Sequence, residues 1–366
     1  MFLFTEKIGN SQLFNILFIM RTTIVISFLP VLTTTQALQD AWLASIITFF
    51  LSALCVYLIG RLALIFPDKS IIQYSQELLG SWPGRLFSLF YPGLFLFMGA
   101  TDLRIYGELL RSVFLPETPL IVIQSSIVIA AVMVVYAGLE PLGRMADLIF
   151  PVFTLSILFT LLFPVVEADF GNLQPVLYNG WRPVLFATLT PVAIIAQYAH
   201  LTMLIPSVVE PQKALRSALS SLLWASLILV FAALIVVAVL GADEGARAAF
   251  PVFKLIRAIR ISEFLERIEA FPTFAWGLGL FITLSVNLYS LSKGLSQLCR
   301  LKNHRHLLLP LAVILSTLAL QGYSDFLEIR SFFKPQVAAP FVFFLLLFPL
   351  AVLWTAYFFK KKDSVF

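Results

Sequence analysis

The sequence predicts an all-α integral membrane protein of ten transmembrane helices, arranged as an inverted five-plus-five repeat with broken spans 1 and 6. Three observations carry this expectation. The 366 residues are 60% hydrophobic and only 12% charged, with a mean hydropathy of +0.95. An average soluble domain has about 45–50% apolar and about 25% charged residues, so too few charges remain to cover a water-facing surface. Ten apolar stretches each reach the length needed to cross a hydrocarbon core about 30 Å thick, roughly 20 residues of helix. Two of these stretches, five spans apart, each combine a polar cluster with a proline near one end. The composition excludes a soluble enzyme, a nucleic-acid binder and a disordered scaffold.

Span 1, at about 11 to 34, contains RTTIVISFLP, with Arg21, Thr22 and Thr23 near its middle and Pro30 near its end. Span 2 runs at about 41 to 66. Span 3, at about 85 to 110, carries Met98, and in its outer half Asp102, Arg104 and Glu108; Asp102 and Arg104, near the outer interface, predict a helix-packing ion network in preference to a coupling-ion site. Spans 4 and 5, at about 118 to 138 and 146 to 166, complete a first repeat of about 11 to 166. Span 6, at about 183 to 206, contains YAHLTMLIP, with Gln197, His200 and Pro206. Span 7 runs at about 217 to 241. Span 8, at about 272 to 298, carries Thr283, Ser285 and Asn287. Span 9, at about 306 to 321, ends a second repeat of about 183 to 321, and span 10 runs at about 337 to 359. The chain is one transmembrane domain, and the 20 Pro and 17 Gly fit kinked rather than plain spans.

Segments five spans apart cross the bilayer in opposite directions, which is the pattern of an inverted repeat. In such folds, spans 1, 3, 6 and 8 line a pocket, and unwound backbone offers its N–H and C=O groups to a ligand. Polar residues inside spans tend to face cavities or partners. The expected pocket lining is therefore Thr22, Thr23, Met98, Gln197, His200, Thr283 and Asn287. Thr and Asn act as hydrogen-bond partners, Met98 as apolar wall and an uncharged His200 as the polar determinant. Thr283 and Asn287, four apart, share a helical face; such residues also serve as interhelical glue, and His200 has the parallel reading of a histidine bonded between helices.

The formal net charge of +5 and pI of about 9.2 reflect topology. Fourteen Lys and Arg fall on the face shared by the N-terminus, the 293 to 305 loop and the Lys360-Lys361-Lys362 tail, against five in the short loops opposite. The positive-inside rule places both termini in the cytoplasm. The outer connection PVFKLIRAIRISEFLERIEAF, about 251 to 270, repeats apolar residues at helical spacing and reads as an amphipathic helix on the outer membrane surface, capping the bundle or docked on a partner. MFLFTEKIGN lacks the features of a signal peptide. Cys55 and Cys299 have no partner nearby in sequence, and no His/Cys cluster has ligand spacing, so neither disulfide, metal nor other cofactor is expected. No paired carboxylates or nucleophile–base pair lie within the spans, so no enzymatic activity is expected.

The segments LRIYGELLRSVFLPETPL, YAGLEPLGRMADLIFPVF, MLIPSVVEPQKALRSAL, FPVFKLIRAIRISEFLERIEAFPTFAWGLGLFI and SLSKGLSQLCRLKNHRHLLLPL, in this order, resemble the membrane-embedded B subunit of spore germinant receptors. That family is a branch of the amino acid–polyamine–organocation superfamily. The resemblance implies a leucine-transporter-like fold in the inner spore membrane, A and C partner subunits, and a small, amino-acid-like nutrient as ligand. The alternative with the same fold is a cation- or proton-coupled amino-acid permease. The chain departs from the family pattern twice. The usual glycine-rich break of span 1 is replaced by the β-branched run after Arg21, and the usual Gly-x-Glu of span 6 by Tyr198-Ala199-His200.

Overall fold

The computed structural model describes residues 7–27, 29–248, 250–258 and 270–363. The chain is helical almost throughout. Helices α1 (Asn10–Ser27) and α2 (Leu29–Ala37) are followed by a 3₁₀ turn at Leu38–Asp40 and by α3 (Ala41–Ile65). The short helices α4 (Ile71–Leu79) and α5 (Ser81–Ser88) lead into α6 (Phe90–Val113). Then α7 (Leu120–Ala137) meets α8 (Leu139–Leu162) through Gly138 at φ 122°, a backbone conformation open to glycine without strain. The sixth predicted span consists of α9 (Trp181–Ala193), a 3₁₀ segment at Ile194–His200, α10 (Leu201–Leu204) and a 3₁₀ turn at Ile205–Ser207. Next come α11 (Pro211–Leu240), α12 (Ala242–Arg247), α13 (Pro251–Ala258) and α14 (Ala270–Leu298). The chain closes with α15 (Leu308–Gln321), α16 (Phe326–Phe332), α17 (Pro335–Val342) and α18 (Phe348–Asp363).

Among the described residues, eight helical stretches are long and apolar enough to cross a membrane. The ten expected spans differ from these at two places. The polar residues of α1, Arg21 among them, set it apart from the strongly apolar stretch Leu29–Ile65. Helix α15 has 14 residues, about 21 Å at 1.5 Å per residue, and falls short of the hydrocarbon thickness.

Burial separates inner from outer spans. In Trp181–Ser207 and Phe271–Leu298, 78% of the most apolar window is buried, against 25% in Pro335–Lys361. Helix α14 is the hub, packing on α1, α6, α7, α8 and α15, while α11 packs on α1 and α3. Small residues allow these approaches: Ala214, Ala218, Ala225, Ala232 and Ala233 of α11 are all buried. Gly279 of α14 sits where a Cβ would overlap Thr23 Oγ1 and stand 2.5 Å from Phe153 Cε2, so α1 and α8 close onto bare backbone there.

The amphipathic connection is described only at its start, α13; residues 259–269 lie outside the described residues. Val252, Phe253 and Leu255 of α13 are buried, and the Phe253 ring packs at 5.7 Å from Phe114 and 6.3 Å from Trp276. This part of the connection therefore turns its apolar face onto the chain's own bundle.

Candidate functional site

The backbone of the sixth span changes character around its prolines. Pro191 lies inside α9 and lacks an N–H, and two residues later the α-helix gives way to the 3₁₀ segment Ile194–His200. Arg21 of α1 reaches this point and its Nη2 donates to the Pro191 carbonyl at 3.2 Å. Every residue from Ile194 to His200 is buried, so the segment's polar side chains meet protein and cavities rather than lipid.

His200 is fully engaged. Asn287 Nδ2 donates to the Thr283 carbonyl at 3.0 Å, which turns Asn287 Oδ1 toward the imidazole. His200 Nε2, 3.1 Å from that oxygen, is then the donor, and Nδ1 accepts from Ser290 Oγ at 2.9 Å. The ring also stacks on Phe95, with centroids 4.4 Å apart. Thr283 Oγ1 donates to its own helix at the Gly279 carbonyl, 2.9 Å away, and Thr23 Oγ1 does the same to Ile19, 2.7 Å away.

A narrow cavity of about 60 Å³ lies between α1, α6, the 3₁₀ segment and α17. Ile24, Met98 and Ile105 form part of its apolar wall, and Phe97, Phe332, Phe333 and Phe341 its aromatic wall. Its polar groups are Thr101, Asp102 and Gln197. Thr101 Oγ1 is hydrogen-bonded to Tyr323 OH at 3.1 Å. The other two are unsatisfied within the chain: Gln197 Nε2 and Oε1 and Asp102 Oδ2 are buried without a hydrogen-bond partner among the described residues. A buried polar group left unmet costs roughly 1–3 kcal/mol, more if charged, so these three atoms are the cavity's polar groups still open to a hydrogen-bond partner.

Of the residues expected to line a pocket, Met98 and Gln197 do so together. Thr22 is buried in α1 with its Oγ1 unpartnered among the described residues, Thr23 is bonded within α1, and His200, Thr283 and Asn287 form the tie between the sixth span and α14. Asp102 stands apart from the ion network expected on α6. Arg104 pairs instead with Glu108 at 2.9 Å, and Glu108 also with Arg111 at 3.1 Å. Positions 104 and 108, four apart, share a helical face, whereas 102 and 104 do not. The stripe Met98, Asp102, Ile105 was readable from the same spacing once Met98 had been chosen. The aromatic wall from Phe332 and Phe333 was not, because these residues come from α16 and its end, far along the chain.

Two features frame the cavity. At one end of the bundle Ile8 and Val208 form a parallel bridge: Ile8 N donates to Ser207 O at 2.8 Å and Val209 N to Ile8 O at 3.0 Å, tying the segment before α1 to the segment after the sixth span. Toward α2 and α16, a wider polar cavity of about 550 Å³ is lined by Thr35, Gln36, Arg330 and Lys334. Phe333 borders both cavities, and its carbonyl accepts from Thr190 Oγ1 at 3.0 Å.

The comparisons with known proteins agree with this architecture. MhsT, solved in complex with L-phenylalanine, superposes with a TM-score of 0.67 over 91% of this chain and 87% of that one, at 13% sequence identity. The chain thus has the leucine-transporter-like fold of a multi-pass membrane protein. Spore germination protein KB of Bacillus subtilis (strain 168) is 29% identical over 332 residues, 88% of each chain. Spore germination protein YndE of the same organism is 26% identical over 320 residues, 86% of this chain and 88% of its own. The profile of the family described as "Spore germination protein" matches residues 7–326, from the segment before α1 to the start of α16, and the chain belongs to that family.

Proposed function

We propose that the chain is the membrane-embedded B-type subunit of a spore germinant receptor, a receptor rather than an enzyme, that binds a small nutrient between α1, α6, the sixth span and α17. The observation that carries this reading is the unsatisfied amide of Gln197 facing a narrow cavity in a chain of the spore germination protein family. The nutrient's contacts are Met98, Gln197 and Asp102, while His200, Thr283 and Asn287 hold the sixth span in register behind them. Thr22 is reserved for a state in which α1 has moved.

Ligand pockets commonly measure roughly 300–1,000 Å³, so a nutrient enters this one only as the aromatic wall of Phe332, Phe333 and Phe341 moves back. A ligand that binds the widened form better than the narrow one shifts the balance between them, and that displacement of α16 and α17 is the signal passed to A and C partner subunits. The reading places the protein in the inner spore membrane with both termini cytoplasmic, and treats residues 11–166 and 183–321 as inverted repeats.

Deletion of the gene followed by germination assays across a nutrient panel tests the reading. Loss of the response to one nutrient or nutrient group is expected, restored by the wild-type gene and not by Gln197→Leu. Unchanged germination on every nutrient would refute it. Uptake of a labelled nutrient by the chain without partner subunits would favour the permease.

A further inference from the structure

We infer that the cavity selects a ligand bearing a primary ammonium group and no carboxylate, with Asp102 as the residue that sets this preference. The inference rests on the reading of this cavity as the nutrient site. Among the described residues, Asp102 is the one ionisable residue that lines it, and no Lys or Arg does. Arg104, two residues on, is committed to Glu108 and to the carbonyls of Ala319, Leu320 and Ser324. Asp102 forms no ion pair among the described residues, and its side chain is buried.

The hydrogen-bond inventory narrows the head group. The unmet atoms are two acceptors, Asp102 Oδ2 and Gln197 Oε1, and one donor, Gln197 Nε2. A primary ammonium donates to both acceptors at once. A quaternary ammonium donates to neither, and an alcohol, though its oxygen accepts from Gln197 Nε2, donates to one only and brings no charge to the Asp102 carboxyl. A zwitterion brings a second carboxyl group into a low-dielectric cavity beside Asp102, where two carboxylates repel strongly and no Lys or Arg among the described lining residues offsets them. The remaining wall accepts an apolar body and a cation alike: the Phe97, Phe332 and Phe341 rings lie 4.8 to 5.3 Å from one another, and ring faces attract cations.

The full-length chain in lipid nanodiscs, titrated with two matched sets of probes, tests this by ligand-dependent thermal stabilisation. One set is isobutylamine, isobutanol and L-valine; the other is phenethylamine, 2-phenylethanol and L-phenylalanine. In at least one set the amine should bind about tenfold or more tightly than its alcohol and its zwitterion, the ratio expected for one unmet buried group. Asp102→Asn should remove that preference, Asp102→Glu should keep it, and Gln197→Leu should weaken amine and alcohol together. If the zwitterion or the alcohol binds as well as the amine, or Asp102→Asn leaves the preference intact, the inference fails. In that outcome sensitivity to Gln197→Leu still supports a nutrient cavity. If no probe stabilises the protein, the inference falls, and the germination panel decides separately on the cavity.

Discussion

The imidazole of His200 and the amide of Asn287 meet at 3.1 Å, Nε2 donating to Oδ1, and this contact links the sixth span to α14. Ser290 occupies the second ring nitrogen and Phe95 one ring face. His200→Ala leaves Asn287 Oδ1 and the Ser290 hydroxyl unmet and opens a void, at roughly 1–3 kcal/mol for each unmet group. We expect the variant to lose thermal stability and abundance, with the nutrient dose response of the surviving protein near wild type. Normal abundance with a shifted dose response would instead make His200 a direct nutrient contact.

Gln197 should behave in the opposite way. Both its amide atoms are buried without a partner among the described residues, so Gln197→Leu removes two unmet polar groups while keeping a similar volume. Thermal stability should hold or rise by about 1–2 kcal/mol, and the response to nutrient should disappear. A fall in stability with a preserved response would show that the amide serves packing alone.

These two residues lie three apart in one 3₁₀ segment, and the sequence could not separate them. Both are polar residues within an apolar span, and only the facing helix decides which is satisfied: α14 offers Asn287 and Ser290 to one and nothing to the other. What the sequence did carry was the set of helices, because hydropathy over 20 residues reflects the bilayer itself. It carried less about α15, whose 14 residues depend on neighbours rather than length. The cavity's α6 side was legible as a stripe through Met98 and Asp102. Its roof was not, since Phe332 and Phe333 arrive through a helix and loop that carry no periodic signal toward Gln197.

Arg104 and Glu108, whose side chains are only 5% and 8% exposed, form a buried pair at 2.9 Å. Arg104 also donates to the carbonyls of Ala319 and Leu320 at 3.1 and 2.7 Å, groups that the end of α15 leaves without helical partners. Arg104→Met strips these carbonyls of their donor and leaves Glu108 with Arg111 alone. The expected loss is about 3–5 kcal/mol, the range for a broken buried pair. Glu108→Gln keeps the guanidinium on its carbonyls and should lose about 1–3 kcal/mol. Equal losses in thermal denaturation would show that the carbonyl contacts contribute nothing.

The turn before α16 should respond to acid. The Ser324 N–H, and next its hydroxyl, donate to Glu328 Oε2 at 2.7 Å each, and these bonds hold the Glu328 carboxyl below its ordinary pKa. Because the folded value is depressed, the stabilisation is fully present above the unfolded value, near 4.3. It is lost as pH falls through the folded one. Amide-exchange protection at Ser324, corrected for intrinsic rates, should therefore hold at neutral pH and decline below that value. Glu328→Gln should abolish the pH dependence. An unaltered acid response in that variant would assign it to another group.

A contact sensitive to a single methyl group is expected at Gly279. A Cβ there would overlap Thr23 Oγ1 of α1 and come within 2.5 Å of Phe153 Cε2 of α8, against the 3.5–4.0 Å at which carbon atoms attract. Neither neighbour has room to retreat, since Thr23 and Phe153 are both buried. Gly279→Ala must push α14 away from α1 and α8, and overpacking of this kind costs about 1–3 kcal/mol. Displacing α14 also carries Asn287 and Ser290 away from His200, so the loss should exceed that of Gly294→Ala, where the nearest atom would lie 3.4 Å away. Phe153→Leu added to Gly279→Ala should recover part of the stability by clearing one of the two obstructions. Thermal denaturation of the single and double variants measures both effects, and a Gly279→Ala protein as stable as wild type would show that α14 does not depend on the bare backbone at this crossing.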